Sequence, residues 1–207
     1  MKSFLVANPK GGSGKSTLAT NLAGYLARCG HQVMLGDTDR QHSALDWLKI
    51  RPETLPPIRS WDLKKDQPAR PPKATTHVVL DTPAGLCGKA LERILKQVDR
   101  VIVPVQPSLF DILATRSFLE TLLEEKAVRK EKVFVAVVGM RVDVRTRAAS
   151  ELDRFLSSYD LPVLTCLRDT QLYVQVAASG MTLFDLSPAR AEKEREQWQP
   201  IIDWIER

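Results

Sequence analysis

The chain has 207 residues, 43% hydrophobic and 27% charged, with a formal net charge of +5. That is enough apolar material for one well-filled core, and the charged share is close to the globular norm of about a quarter, which excludes a largely disordered chain. The three cysteines, Cys29, Cys87 and Cys166, are odd in number and far apart, and no run approaches the ~20 apolar residues of a membrane span, so a disulfide framework, a cysteine zinc site and a transmembrane helix are not expected and a reducing cytoplasm is.

Residues 3–7, SFLVA, read as a buried strand leading into a glycine loop. From Lys15 to Arg28, Leu18, Leu22 and Leu26 recur at spacing four beside Ala19, Ala23 and Ala27, which predicts one apolar helix face that Gly30 ends. A strand follows at 32–37 and a helix at 42–50. Residues 51–76 hold six of the thirteen prolines, Pro52, Pro56, Pro57, Pro68, Pro71 and Pro72. Such density precludes long regular elements and predicts an irregular surface excursion with a short edge strand at 58–61.

Beyond it, 77–81, 100–105 and 132–140 are β-branched runs without polar alternation, the pattern of strands buried on both faces of a parallel sheet. Helices are predicted near 88–97, 109–127, 146–158, 170–178 and 189–206, and a short strand at 162–166. Alternating strands and helices predict an α/β fold: a doubly wound, mostly parallel sheet flanked by helices, as one domain over 1–207.

In such sheets ligands bind at the carboxyl ends of the strands, and three motifs fall there. The first strand ends at NPKGGSGKST, residues 8–17. Gly11, Gly12 and Gly14 let backbone N–H groups converge on phosphate oxygens, and the following helix adds the positive end of its dipole. Lys15 is placed for the β/γ-phosphates, the Ser16 hydroxyl for Mg²⁺ and Thr17 for the α-phosphate. The phosphate-binding set is thus Gly11, Gly12, Ser13, Gly14, Lys15, Ser16 and Thr17. The loop departs from the common G-x-x-x-x-G-K-[ST], because Pro9 stands where the first glycine belongs and a second lysine, Lys10, follows it.

The second motif, HVVLDTPAG at 77–85, places Asp81 after a buried strand, as a second magnesium anchor; an isolated aspartate there would read as a turn former. Gly85 offers an N–H to a γ-phosphate. In the third, LGDTDRQ at 35–41, Asp37 and Asp39 project to one side of an extended segment, and either could orient a water; the alternative is that Asp39 caps a helix starting near Gln41.

Together these motifs resemble the ParA/MinD family of deviant Walker-A P-loop ATPases, most closely its small single-domain ParA-like partition proteins. Residues 10–17 match the family loop K-G-G-x-G-K-[ST] throughout. The resemblance implies an ATPase using ATP and Mg²⁺. In it, Lys15 serves its own nucleotide, Lys10 reaches the partner's nucleotide across a homodimer, and Asp39 positions the attacking water, with Mg²⁺ in reach through water. It also places Arg141, Leu167 and Arg168 beside the base. Two departures stand out: Arg40 replaces the proline of D-x-D-P-Q, and Arg141 stands where many relatives carry asparagine.

The resemblance further implies nonspecific double-stranded DNA and a ParB-like adaptor as partners, with nucleoid association in the ATP-bound state. DNA phosphates need a cationic surface. The candidates are Lys126, Arg129, Lys130 and Lys132; Arg145 and Arg147; and Arg168, Arg190, Lys193 and Arg195, the last interleaved with glutamates. The mixed-charge tail with Pro200 does not suggest a membrane-docking helix, and Trp198, Ile201, Ile202 and Ile205 are expected to pack on the domain. Rivals remain: a redox or metal-cluster carrier on the same loop, which would need paired cysteines where Cys87 stands alone; a MinD/Mrp-like carrier or positioning protein; and a module that holds ATP with little hydrolysis, which Arg40 makes credible.

Overall fold

The computed structural model describes residues 1–39, 41–61 and 71–207. Seven strands form one sheet: β1 (Lys2–Val6), β2 (Val33–Asp37), β3 (Ile58–Trp61), β4 (His77–Asp81), β5 (Arg100–Val105), β6 (Phe134–Gly139) and β7 (Val163–Cys166). Their order is β3-β2-β4-β1-β5-β6-β7, and every pairing among them is parallel. The helices are α1 (Lys15–Arg28), α2 (Ser43–Lys49), α3 (Gly88–Leu95), α4 (Leu109–Glu124), α5 (Lys126–Arg129), α6 (Arg147–Leu156), α7 (Gln171–Ala178) and α8 (Glu192–Glu206).

Strand side chains alternate faces, so a strand buried on both sides feeds two cores. Phe4 and Val6 of β1 join Leu18 and Leu22 of α1, Trp47 of α2 and Trp198 and Ile201 of α8. Leu5 and Ala7 join Leu91 of α3, Leu119 and Leu122 of α4 and Leu152 of α6. The chain leaves β1 for β2, returns to fill the gap with β4, then crosses to β5 on the other side of β1. Strand order therefore reverses at β1, and the crevice beyond its carboxyl end is where this topology holds ligands.

The short strand at 58–61 lies at the sheet edge beside β2. Among the described residues it is the only regular element in 51–76. The helix expected over 109–127 is broken at Glu125, whose backbone is extended (φ −62°, ψ 133°), so α4 and the one-turn α5 are separate. The last helix starts at Glu192 rather than 189, because Pro188 opens a separate 3₁₀ turn, Pro188–Arg190. Pro200 is on the exposed side of α8, while Trp198, Ile201, Ile202 and Ile205 are buried. That apolar face therefore faces the core, not a membrane surface.

Two polar ties fasten the carboxyl-terminal part to α1 and to the segment after α2. Leu183 N–H donates to Asn21 Oδ1 of α1 at 2.9 Å. Asp185 accepts from Arg51 Nη1 at 2.9 Å and from the Thr182 hydroxyl at 2.8 Å, and both charged side chains are buried. Burial alone would raise the Asp185 carboxyl, but the Arg51 and Thr182 hydrogen bonds outweigh it and hold it below its ordinary value. Between these ties α1 approaches so closely that a Cβ on Gly24 would lie 2.4 Å from Thr182 Cγ2. Gly24→Ala gains about 1 kcal/mol of helix propensity but overpacks a fixed contact. The net result expected is a loss of roughly 1–2 kcal/mol, read as a lower urea midpoint at unchanged m-value.

Candidate functional site

The carboxyl ends of three strands are level. Val6 of β1 and Asp37 of β2 both stand in register with Asp81 of β4. The glycine loop, Asp37 and Asp81 thus share one rim of the crevice.

Gly12 and Gly14 take φ of 78° and 95°, the left-handed region that glycine enters without a Cβ penalty. Gly14 caps α1 without a side-chain bond, and the first helical hydrogen bond runs from Leu18 N–H to the Gly14 carbonyl at 2.9 Å. The N–H groups of Lys15, Ser16 and Thr17 are left at the positive end of a 14-residue helix with no acidic residue in its first turn. That is an anion site by construction.

The loop is pinned from outside. Asn8, fully buried, donates to the Pro104 carbonyl (2.7 Å) and Thr115 Oγ1 (2.9 Å) and accepts the Lys10 N–H (2.8 Å). Gln106 Nε2 donates to the Gly12 carbonyl. The two lysines have different surroundings. Lys15 is 8% exposed, and its ammonium donates to the Lys10 carbonyl at 2.7 Å, where the Ser13 hydroxyl also donates. Burial lowers its proton affinity, and the charges of Asp81 and Asp39 oppose that. The side chain of Lys10 is 38% exposed, with Nζ 3.9 Å from Asp111 Oδ2 and 5.9 Å from the centre of the Phe110 ring.

Asp81 accepts from the Ser16 hydroxyl at 2.6 Å and from Thr82 N–H at 3.0 Å. Burial, reinforced by Asp37 and only partly offset by Ser16, Lys15 and the Thr82 N–H, pushes its carboxyl up to about 7. The pair suits Mg²⁺: two hard oxygens from different elements converge, and the carboxylate lacks a full counter-charge. Among the described residues no three His, Cys, Asp or Glu side chains form a metal cluster, so a cation here would draw its other oxygens from nucleotide and water.

The structure separates the two aspartates of the third motif. Asp37 is buried, and its oxygens accept from the N–H groups of Asp39 (2.8 Å) and Ala44 (2.9 Å), so it shapes the turn into α2. Asp39 is half-buried. Its Oδ1 accepts the Gln41 N–H at 3.1 Å, and its Oδ2 has no hydrogen bond among the described residues. Arg40 lies outside the described residues. Gly85 (φ 81°) donates its N–H to the Pro9 carbonyl at 3.0 Å, so reaching a phosphate would require releasing that bond.

On the base side, Leu167 is fully buried and pairs through backbone with Gly139 and Val142. Arg168 is bound by Glu194, a buried carboxylate, through Nε at 2.7 Å. The Arg168 N–H donates to Gln197 Oε1 at 3.1 Å, so both residues are held largely by bonds within the chain. Arg141 is exposed at φ 54°, without a hydrogen bond or ion pair among the described residues.

Comparison with known proteins identifies the family. The profile of the CobQ/CobB/MinD/ParA nucleotide binding domain matches residues 4–183. The chain belongs to that family. Maintenance of carboxysome distribution protein A of Halothiobacillus neapolitanus is 27% identical over 211 residues, covering 97% of this chain and 94% of the relative. A plasmid partition protein of Borrelia burgdorferi bound to AMPPNP has a TM-score of 0.72 at 19% identity, with 98% of each chain covered. The septum site-determining protein MinD of Pyrococcus horikoshii, complexed with Mg-ADP, has a TM-score of 0.69 at 16% identity, covering 99% of this chain and 94% of its own. These two share the fold of this member of the CobQ/CobB/MinD/ParA family. No helix among the described residues is long and apolar enough to cross a membrane.

Sequence reasoning did not single out Asn8, Gln106 or Asp111. The first had a signal: a buried amide directly after an apolar strand needs several partners. The other two act through a loop whose approach to Gly12 and Lys10 is tertiary.

The raised Asp81 has a consequence for stability. Its folded value, about 7, exceeds the unfolded value of about 3.9, so between these the folded chain keeps a proton that the unfolded chain releases. Stability from this group is full below pH 4 and falls as pH rises to 7. Asp81→Asn is expected to raise the urea midpoint at pH 8, with the advantage shrinking steadily toward pH 4. A pH-independent difference would mean that Asp81 is ionised throughout.

Proposed function

We propose that this CobQ/CobB/MinD/ParA family member is a ParA-like switch. In this reading it is a monomer with ADP or no nucleotide and a face-to-face homodimer with Mg-ATP. It hydrolyses ATP slowly, an adaptor accelerates that step, and the dimer holds nonspecific DNA while a cargo is positioned. The observation that carries the reading is the division of labour between the two lysines. Lys15 is enclosed by its own loop, whereas the Lys10 side chain is 38% exposed at the same mouth, beside Asp111 and Phe110. A partly exposed cation there suits an anion brought by another molecule.

Each residue has a task in this scheme. Lys15 exchanges the Lys10 carbonyl for a phosphate oxygen, and the N–H groups at the start of α1 take up the remaining charge. Ser16 and Asp81 would hold Mg²⁺, which supplies Lewis-acid stabilisation to the phosphate oxygens. Asp39, whose Oδ2 has no hydrogen bond among the described residues, orients the attacking water in line with the γ-phosphate. The relatives named above handle carboxysomes and plasmids, which suits a positioning role but leaves the cargo class to experiment.

The basic clusters differ in availability for DNA phosphates. Arg145 pairs with Asp143, Arg147 with Glu151 and Arg168 with Glu194, and Arg195 donates to the carbonyls of Phe184 and Leu186. Lys126, Arg129, Lys130 and Lys132 are exposed and carry no ion pair among the described residues, which favours α5 and its flank.

Lys15→Ala is expected to abolish binding of a fluorescent ATP analogue. Asp39→Ala should keep ATP and remain dimeric in sedimentation velocity, with hydrolysis lost; wild-type turnover in that variant would remove Asp39 from the mechanism. Co-sedimentation with duplex DNA should require ATP and weaken steeply with salt. Charge reversal at Lys126 and Lys130 should then reduce DNA retention while ATP-driven pairing persists.

A further inference from the structure

Away from the nucleotide crevice, two arginines close on one carbonyl oxygen. Arg28, in the last turn of α1, donates from Nε to the Phe184 carbonyl at 3.2 Å. Arg195 of α8 donates from Nη2 to the same carbonyl at 3.0 Å and to the Leu186 carbonyl at 3.1 Å. Together with Tyr25, Cys29, Ser187 and Pro188 they line a recess of about 380 Å³. The rise of a helix puts Arg28 about 20 Å along α1 from Lys15, so this recess is separate from the phosphate loop.

We propose that this recess binds the phosphate of a small phosphomonoester, with Arg28 and Arg195 as its anchors and Tyr25, Phe184 and Leu186 beside its organic part. The inference is independent of the switch reading above.

The acids near these two guanidiniums are engaged elsewhere. Asp185 is in the recess wall, but its side chain is fully buried and bonded to Arg51 and Thr182, and Arg28 Nε stands 3.9 Å from it. Glu206 accepts from the Tyr25 hydroxyl, and Glu194 is bound by Arg168. Glu192 and Glu196, which border Arg195 in a neighbouring recess, are exposed and form no ion pair with it among the described residues. The negative end of α1 does not consume Arg28 either, because the carbonyls of Tyr25, Leu26 and Ala27 accept from the N–H groups of Cys29, His31 and Gly30. Neutral carbonyls thus fix both forks without cancelling their charge, and Arg195 Nε is buried without an acceptor. A phosphomonoester dianion suits such a pair, since its three terminal oxygens can serve two planar forks at once. The recess also offers apolar surface to a carbon skeleton: the rings of Tyr25 and Phe184 meet edge to face at 5.1 Å, with Leu186 in the same wall.

Cys29 lines the recess and is exposed, so its reactivity reports occupancy; Cys87, exposed just before α3, is the internal reference. The test follows alkylation of each cysteine by iodoacetamide, read by peptide mass spectrometry, in the full chain with AMPPNP and Mg²⁺ present. Phenyl phosphate is the probe. Near saturation it is expected to slow alkylation of Cys29 about tenfold and to leave Cys87 unchanged. Phenol, which lacks the phosphate, should protect neither. Arg28→Gln is expected to raise the half-protecting concentration about tenfold or more. Arg195→Gln, expected to act in the same direction, supplies the test if Arg28→Gln fails to fold. No protection in the wild type, equal protection of Cys87, equal protection by phenol, or unchanged protection in a folded variant would each overturn the site. Protection of Cys29 by a short DNA duplex but not by phenyl phosphate would also overturn it, and would assign this face to DNA.

Discussion

Burial lowers the proton affinity of Lys15, and the groups around it on the rim oppose that. Its ammonium meets the Lys10 carbonyl, and the charges of Asp81 and Asp39 support it from the neighbouring strand ends. Those groups converge because β1, β2 and β4 end level. The site thus depends on sheet order as much as on the loop.

The rim is balanced for an anion that brings a cation with it. Burial and the neighbouring Asp37 raise the Asp81 carboxyl, and the first turn of α1 has no acidic residue to meet its positive end. A metal-bound phosphate corrects both at once. Hydrogen bonds to the protein's own groups occupy the loop in the meantime: Gly85 N–H on Pro9, Ser16 on Asp81 and Lys15 on Lys10. A phosphate oxygen would give the Gly85 N–H and the Lys15 ammonium a charged acceptor in place of a neutral carbonyl.

Much of this was legible in the chain. The strand and helix alternation gave the α/β sheet, and β4, β5 and α1 lie at the residues expected, because long β-branched runs and a leucine period of four are strong local signals. The all-parallel sheet is a little more regular than the mostly parallel one expected. Glu125 was not legible as a break, since nothing in its own residue type forbids helix; Ala127 and Val128 turn aside to pack on the second core. The positions of the glycine loop and of Asp81 at the strand ends were readable from spacing. The separate fates of Asp37 and Asp39 were not, because both sit in one short polar segment and only the fold decides which one faces backbone N–H groups. Arg168 could be placed in sequence, but its capture by Glu194, twenty-six residues away, depends on how α8 returns to β7.

The salt link between Arg51 and Asp185 lies where the proline-rich excursion begins. Arg51 also donates to the carbonyls of Pro56 and Gly180, so the first turn of that excursion is clamped to the body. On the far side, Thr76 N–H bonds the Gln32 carbonyl just before β4. Both ends of the segment are therefore moored independently of what lies between them. Such a double mooring makes the interval a natural graft point, where length and chemistry could change between relatives, or be exchanged by design, while the nucleotide crevice stays as it is.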